Sequence, residues 1–246
     1  MTKSRTLALG LAAALFTAAC STAPATTTPA QQQPLGKVLF GGDSIAAGEA
    51  LPLRAAFEAS GVEFQSIASE GGGNVVGPFS EENWPKIAEH VRSARPAVVV
   101  HQLTTYDWGA EDEQRAGYRR LLQEVTGAGA QLVLVTAPPI RPDEFYAPHM
   151  AELERVPSVV KAMADASSGQ AVLLDASAVW GTSYQQQRDG KADRSADGIH
   201  TCPQGAARFT QWLLTELKKL HPGFSPAEPE KWANSGWSAD RHFAGC

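Results

Sequence analysis

Short apolar blocks alternate along this chain with stretches of helical period. Residues 37–41, 62–67, 97–103, 131–135 and 171–174 are brief runs rich in Val, Leu, Ile and Phe. Runs of that length, bounded by Gly, Pro or charged residues, are too short for core helices and predict buried strands. Val98, Val99 and Val100 are apolar without alternation, as expected of a central parallel strand covered on both faces. Helical period fills the intervals 46–60, 81–94, 111–126, 150–167 and 203–220. Leu51, Leu53, Ala56 and Phe57 predict the inner face of the first helix; Phe209, Trp212, Leu213 and Leu217 predict that of the last. Gly127 and Gly129 stop the third helix, and Pro203 suits a first helical turn. Strands separated by helices predict an α/β three-layer sandwich with a mostly parallel, five-stranded sheet. Ligands of such sheets sit beyond the carboxyl ends of the strands. Ser44, Tyr106-Asp107 and Pro138-Pro139 each follow a strand end, so three motifs are expected on one rim.

The pattern also divides the chain. Residues 1–20 carry Lys3 and Arg5, then an apolar stretch from Leu7 to Phe16, then Thr17-Ala18-Ala19-Cys20. The stretch is short for a bilayer span and reads as an export signal. The small residues before Cys20 resemble a bacterial lipobox, in which Cys20 becomes the lipidated first residue; an ordinary cleaved signal is the alternative. Residues 21–34, rich in Thr, Ala, Pro and Gln, read as a flexible tether. Residues 35–220 form the folded domain. Residues 221–246 are irregular but hold Trp232, Trp237 and Phe243, which predicts a tail packed on that domain rather than free of it.

Composition narrows the partners. The 246 residues carry a formal charge of −5, and the first nineteen contribute only Lys3 and Arg5 to it. A mildly acidic protein gains nothing near a phosphate backbone, so no nucleic acid partner is expected, and membrane contact only through an anchor at Cys20. Beyond Cys20 the cysteines are Cys202 and Cys246. An oxidising compartment favours pairing them, which would tie the tail beside residue 200; two free thiols are the alternative. No Cys/His spacing suggests a metal, and the glycine run 71–73 lacks the Lys-Ser/Thr of a phosphate loop, so no metal or cofactor is expected. A monomer is expected.

Two segments carry chemistry. Ser44 follows the first strand at the start of a helix, where a hydroxyl meets partly positive amides. It is either a nucleophile or, with Asp43, a helix cap. His200 follows Asp197 by three residues across an Asp-Gly turn. That spacing lets the carboxylate fold back onto imidazole Nδ1 and leaves Nε2 free to take a proton from the serine. The order Ser, Asp, His is one seen in serine hydrolases. His101, inside the third strand, reads as a hydrogen-bonded core histidine, and Asp175 as a turn cap.

The Gly42-Asp43-Ser44 segment, the Gly71-Gly72-Gly73 block, the polar block at 104–109 and Asp197-Gly198-Ile199-His200 together resemble the SGNH/GDSL hydrolase superfamily over about residues 35–220. The resemblance implies a flavodoxin-like sandwich in which Ser44 is nucleophile, His200 base and Asp197 its partner. It implies an oxyanion hole from the Ser44 amide, a glycine amide and an asparagine side chain. Gly72 is the expected glycine, with Gly71 and Gly73 as alternatives. The family pattern Gly-x-Asn-Asp reads Thr104-Thr105-Tyr106-Asp107 here, so the asparagine is absent. Tyr106 aligns with it most simply; Tyr106, Asn74, Thr105 or a backbone amide is expected to replace it, and slow turnover is the alternative. Asp43, Thr105, Trp108 and Tyr146 are expected to contact substrate, with Phe145 and His149 as further candidates in a wall or lid at 141–149. Residues 197–205 also resemble SGNH domains attached to bacterial envelope acyltransferases.

The expectation is an exported serine esterase acting on O-acyl carbohydrates through an acyl-enzyme on Ser44. The alternatives are an acyltransferase that delivers the group to a glycan hydroxyl, and an inert fold that binds glycans.

Overall fold

The structure is a computed structural model that describes Thr2 and residues 34–246. The export signal apart from Thr2, with Cys20, and all of the tether but its last residue lie outside the described residues.

The backbone runs β1 (Val38–Gly41), α1 (Ser44–Ala59), β2 (Phe64–Ser66), α2 (Ser80–Ala94), β3 (Val98–Gln102), α3 (Glu111–Gly127), β4 (Gln131–Val135), α4 (Met150–Asp165), β5 (Ala171–Leu174), α5 (Ser177–Trp180), β6 (Gln187–Arg188), β7 (Lys191–Ala192) and α6 (Pro203–Leu220). The five long-range strands pair in parallel in the order β2-β1-β3-β4-β5. β1 and β3 are buried at every position because helices cover both faces of the sheet. The two-residue strands β6 and β7 form a separate antiparallel hairpin. That hairpin and the single turn of α5 are too short for periodicity to reveal.

Side-chain alternation along the strands splits the core in two. Val38, Phe40, Val98, Val100, Val133 and Val135 face Leu53 and Phe57 of α1 and Phe209, Leu213 and Leu217 of α6. Leu39, Val99, Leu132 and Leu134 face Val91 of α2, Tyr118, Leu121 and Val125 of α3 and Val156 and Val160 of α4. Leu51, expected on the inner face, is only partly buried, and Ile45, Ala46, Gly48 and Glu49 are buried instead. The burial of Glu49 departs from the apolar pattern and has a bearing on the site below.

After α6 the chain turns back across α1. Phe224 and Trp232 are buried in the α1/α6 half of the core, and the Ala227 amide donates to Ser60 Oγ at 2.9 Å. Cys202 and Cys246 are joined by a disulfide with Cα atoms 5.6 Å apart. The last residues are thereby fixed next to the start of α6.

In this strand order the direction of winding reverses between β1 and β3, and their carboxyl ends open a crevice. Ser44 emerges from β1 and residues 103–109 from β3, so the topology places both on the two lips of that crevice.

Candidate active site

The α1 start is built by Asp43. Its Oδ1 accepts from the Ile45 amide at 3.0 Å, so Asp43, not Ser44, is the helix cap. Its Oδ2 reaches across the crevice and accepts from the Thr105 amide at 2.8 Å and the Thr105 hydroxyl at 2.9 Å. Asp43 is 1 % exposed. Burial pushes its pKa up, opposed by those donors from Thr105 and Ile45. Asp43 and Thr105 thus engage each other, and neither lines the Ser44 cleft where substrate contact was expected; they lock the Ser44 turn to the loop after β3.

Asp107 does the same for that loop. It is fully buried and accepts from the Val75 amide (3.1 Å), the Thr104 amide (2.7 Å) and the Tyr118 hydroxyl (2.7 Å). Burial raises its pKa to about 6 against the pull of these donors. Gly42 (φ +148°) and Gly73 (φ +82°) make the close approach of the two loops possible. A Cβ on Gly73 would fall 2.0 Å from the Gly42 carbonyl oxygen.

The released hydroxyl of Ser44 meets His200. Ser44 Oγ lies 2.9 Å from His200 Nε2, and His200 Nδ1 lies 2.8 Å from Asp197 Oδ2. The other Asp197 oxygen accepts from the amides of Ile199 (2.7 Å) and His200 (3.0 Å). Burial raises the Asp197 pKa, but the imidazole and the two amides outweigh it and bring the group down to about 2. An ionised carboxylate only accepts, so Nδ1 carries the proton and Nε2 offers its lone pair to the serine hydroxyl.

The loop that presents His200 is closed by an antiparallel bridge between Arg194 and Thr201, with the Ser195 amide donating to the His200 carbonyl at 2.8 Å. Gly198 takes φ +84°, and a Cβ there would fall 2.8 Å from Arg141 Cβ. Arg194, 2 % exposed, donates to the Pro139 carbonyl at 2.7 Å and to the Ile199 carbonyl. Its guanidinium thereby ties the His200 loop to the segment after β4. Arg141 adds a bond to the Ala196 carbonyl. Behind Ser44, Gln102 Nε2 donates to the buried Glu49 Oε2 at 2.7 Å. Burial drives the Glu49 pKa well up, opposed by that bond and by the Arg194 charge.

The cleft at Ser44 is about 380 Å³ and is walled by Gly71, Tyr106, His200, Thr201, Glu70 and His242. Gly72, the expected oxyanion glycine, is buried against Ser69 and Asn83, whereas its neighbour Gly71 borders the cleft. Asn74 is ruled out as the replacement donor. Its side-chain N–H groups donate to the carbonyls of Val76 and Pro78, and its oxygen accepts from Asn83 at 2.9 Å. Tyr106 is the expected candidate whose side chain borders the cleft. Trp108 sits behind it, stacked on His149 with centroids 4.1 Å apart. Tyr146 is 7 % exposed and packs with Ile45, Ile140 and Ile199, its hydroxyl 3.5 Å from Thr105 Oγ1. Trp108 and Tyr146 pack against the Tyr106 ring, with centroids 5.7 and 6.1 Å away, and neither they nor the segment 141–149 line the Ser44 cleft. His101 is buried, but its Nε2 has no hydrogen-bond partner among the described residues; burial lowers its pKa to about 4 and keeps it neutral. Asp175 Oδ1 accepts from the Ser177 amide at 2.9 Å.

Several of these residues escape sequence reasoning. Glu49 had a signal, as a charge on an otherwise apolar helix face. Asp107 stood inside the polar block but without a role. Arg194, Glu70 and His242 had none, because their partners are distant in the chain.

No protein-family model matches the chain, and no curated protein matches it. Solved structures do. A catalytic mutant of the acetylxylan esterase Axe2 from Geobacillus stearothermophilus superposes with a TM-score of 0.56 at 19% identity, covering 79% of this chain and 98% of that one. A carbohydrate esterase family 3 protein from Talaromyces cellulolyticus gives 0.57 at 18% identity, covering 78% and 100%. A GDSL-like lipase from Bacteroides thetaiotaomicron gives 0.55 at 17% identity, covering 75% and 88%. Likeness at such identities concerns the backbone, and it shows that this chain shares its α/β fold with these two esterases and the GDSL-like lipase.

Proposed function

We propose that this protein is an exported serine esterase that hydrolyses O-acyl carbohydrates through an acyl-enzyme on Ser44. The observation that carries the reading is the unbroken relay from Asp197 Oδ2 through the His200 ring to Ser44 Oγ, with contacts of 2.8 and 2.9 Å. In the acylation step His200 Nε2 takes the hydroxyl proton as Ser44 Oγ bonds to the ester carbonyl carbon. Asp197 stabilises the imidazolium. The proton then passes to the departing alcohol oxygen as the ester C–O bond breaks. Water, deprotonated by the same nitrogen, releases the acid and restores Ser44.

The oxyanion is held by the Ser44 amide, at the N-terminus of α1, and by the Gly71 amide at the cleft edge. Tyr106 is the side-chain donor in place of the missing asparagine. A carbohydrate ester fits a cleft walled by an aromatic ring, a carboxylate and hydroxyls. The solved acetylxylan and carbohydrate esterases that share the backbone support the same substrate class. Export is supported by the leader pattern and by the Cys202–Cys246 pairing, which belongs to an oxidising compartment.

The test is turnover of p-nitrophenyl acetate and of O-acetylated xylose by purified protein, beside Ser44→Ala. Wild type is expected to release acetate from both and the variant from neither. Equal release by the variant would refute the reading. Added xylo-oligosaccharide separates hydrolysis from transfer, since transfer yields a new acetylated sugar.

A further inference from the structure

The C-terminal segment enters the Ser44 cleft. His242 lies on its wall with Glu70, and the ring joins two carboxylates: Nε2 is 2.8 Å from Glu70 Oε1 and Nδ1 is 2.6 Å from Asp240 Oδ1. Asp240 is itself oriented by the His242 amide, which donates to it at 3.0 Å. The segment is fixed on both sides of the site. Phe243 is buried beside Gly48 of α1, the Gly245 carbonyl accepts from the Ala196 amide and from the Ser195 hydroxyl at 3.3 Å, and Cys246 is bonded to Cys202. The tail is thus stitched to the helix that carries the serine and to the loop that carries the histidine.

What this adds to the cleft is polar. Glu70 is 61 % exposed and, among the described residues, makes no bond but the one to His242, so its second oxygen remains an open acceptor. Tyr106 lines the same cleft. A cleft lined by an aromatic residue together with hydrogen-bond acceptors does not suit an acyl chain. It suits a ring that has C–H groups on its faces and hydroxyls on its rim.

We propose that Glu70 and Tyr106 form the subsite for the sugar alcohol of the ester, and that His242 from the tail is the positioning residue that aims Glu70 into it. The proposal rests on the esterase reading above and extends it to specificity. The tail is then a part of the site, and its disulfide is a condition for recognising sugar rather than for the chemistry itself.

The test compares two acetyl esters, O-acetylated xylose and p-nitrophenyl acetate, which lacks the sugar hydroxyls. For Glu70→Ala and His242→Ala, the ratio of kcat/KM for the sugar ester to that for p-nitrophenyl acetate is expected to fall about tenfold, through KM for the sugar. The double variant Cys202→Ser/Cys246→Ser should move in the same direction, and Lys218→Gln, on the exposed face of α6, should change neither value. Parallel loss on both esters would make the tail merely structural and overturn the proposal; so would an unchanged ratio. If wild type turns over neither ester, the esterase reading fails by itself. The subsite is then decided by titrating the acetylated sugar into wild type and Glu70→Ala, where a roughly tenfold weaker Kd supports it and equal Kd values refute it.

Discussion

The two arms of the site are held by opposite means. The serine arm is buried and joined to the sheet: Asp43 and Asp107, both within the core, bind the turn after β1 to the loop after β3. The histidine arm is a loop on the surface. Its Asp197 side chain is 46% exposed, and the loop is steadied by Arg194 and Arg141 on backbone carbonyls and by the disulfide behind it. Carboxylates accepting from amides build the first; guanidinium groups donating to carbonyls build the second. The contrast separates stability from chemistry. Buried acceptors are costly to remove because they leave orphaned donors, whereas an exposed carboxylate contributes little to folding and can still govern a proton transfer.

This separation can be broken first by rate. Asp197→Asn keeps the shape but turns one of the two accepting oxygens into an N–H donor and removes the charge, so the His200 tautomer is no longer fixed, and kcat should fall about 10³–10⁴-fold on p-nitrophenyl acetate. A loss below tenfold would mean that the exposed arm does not direct the base. Stability sharpens the contrast at a smaller scale. Asp107→Ala leaves the Val75 and Thr104 amides and the Tyr118 hydroxyl without an acceptor, and urea unfolding should show a loss of about 3 kcal/mol. Asp197→Ala should cost about 1 kcal/mol or less in the same titration. Comparable losses would erase the distinction.

The smallest effect is in pH, where the two arms have opposite signs. Folding lowers the Asp197 pKa to about 2, below an unfolded value of about 3.9. The unfolded chain then binds more protons between those values, so this contribution is present above about pH 4 and is lost as pH falls toward 2. Folding raises the Asp107 pKa to about 6. Its contribution is complete below about pH 4 and is lost as pH rises through 6. Melting curves of Asp197→Asn should therefore depart from wild type in slope only in the acid window. Those of Asp107→Asn should depart in slope between about pH 4 and 6, by a few degrees at most. An exchange of the two windows would contradict the assignment.

The serine arm was largely legible in the sequence because its elements are local. Unbroken apolar runs such as Val98–Val100 announce covered parallel strands, and strand order then brings Ser44 to the lip of the crevice. Asp197 and His200 were legible for the same reason, three residues and one turn apart. What the sequence hid was the choice of hydrogen-bond partner. Asp43 and Thr105 are polar and near the serine, which suggests ligand contact, yet they satisfy each other across 62 residues of chain. Asn74 has the chemistry of an oxyanion donor, but the carbonyls of Val76 and Pro78 engage its N–H groups. Trp108 and Tyr146 share composition with a substrate wall, yet Tyr146 is buried among isoleucines and Trp108 is stacked on His149. The aromatics of the tail indicated that it packs, while the arrival of His242 beside Glu70 depends on a fold of the whole chain.

The central claim is that Ser44 is activated by His200. Its most direct test is the site of covalent modification by a fluorophosphonate, mapped by peptide mass spectrometry in wild type and in His200→Ala. The account expects a single adduct on Ser44 in wild type and a labelling rate reduced at least a hundredfold in the variant. Labelling of Ser44 at an undiminished rate without the imidazole, or an adduct at another residue, would contradict it.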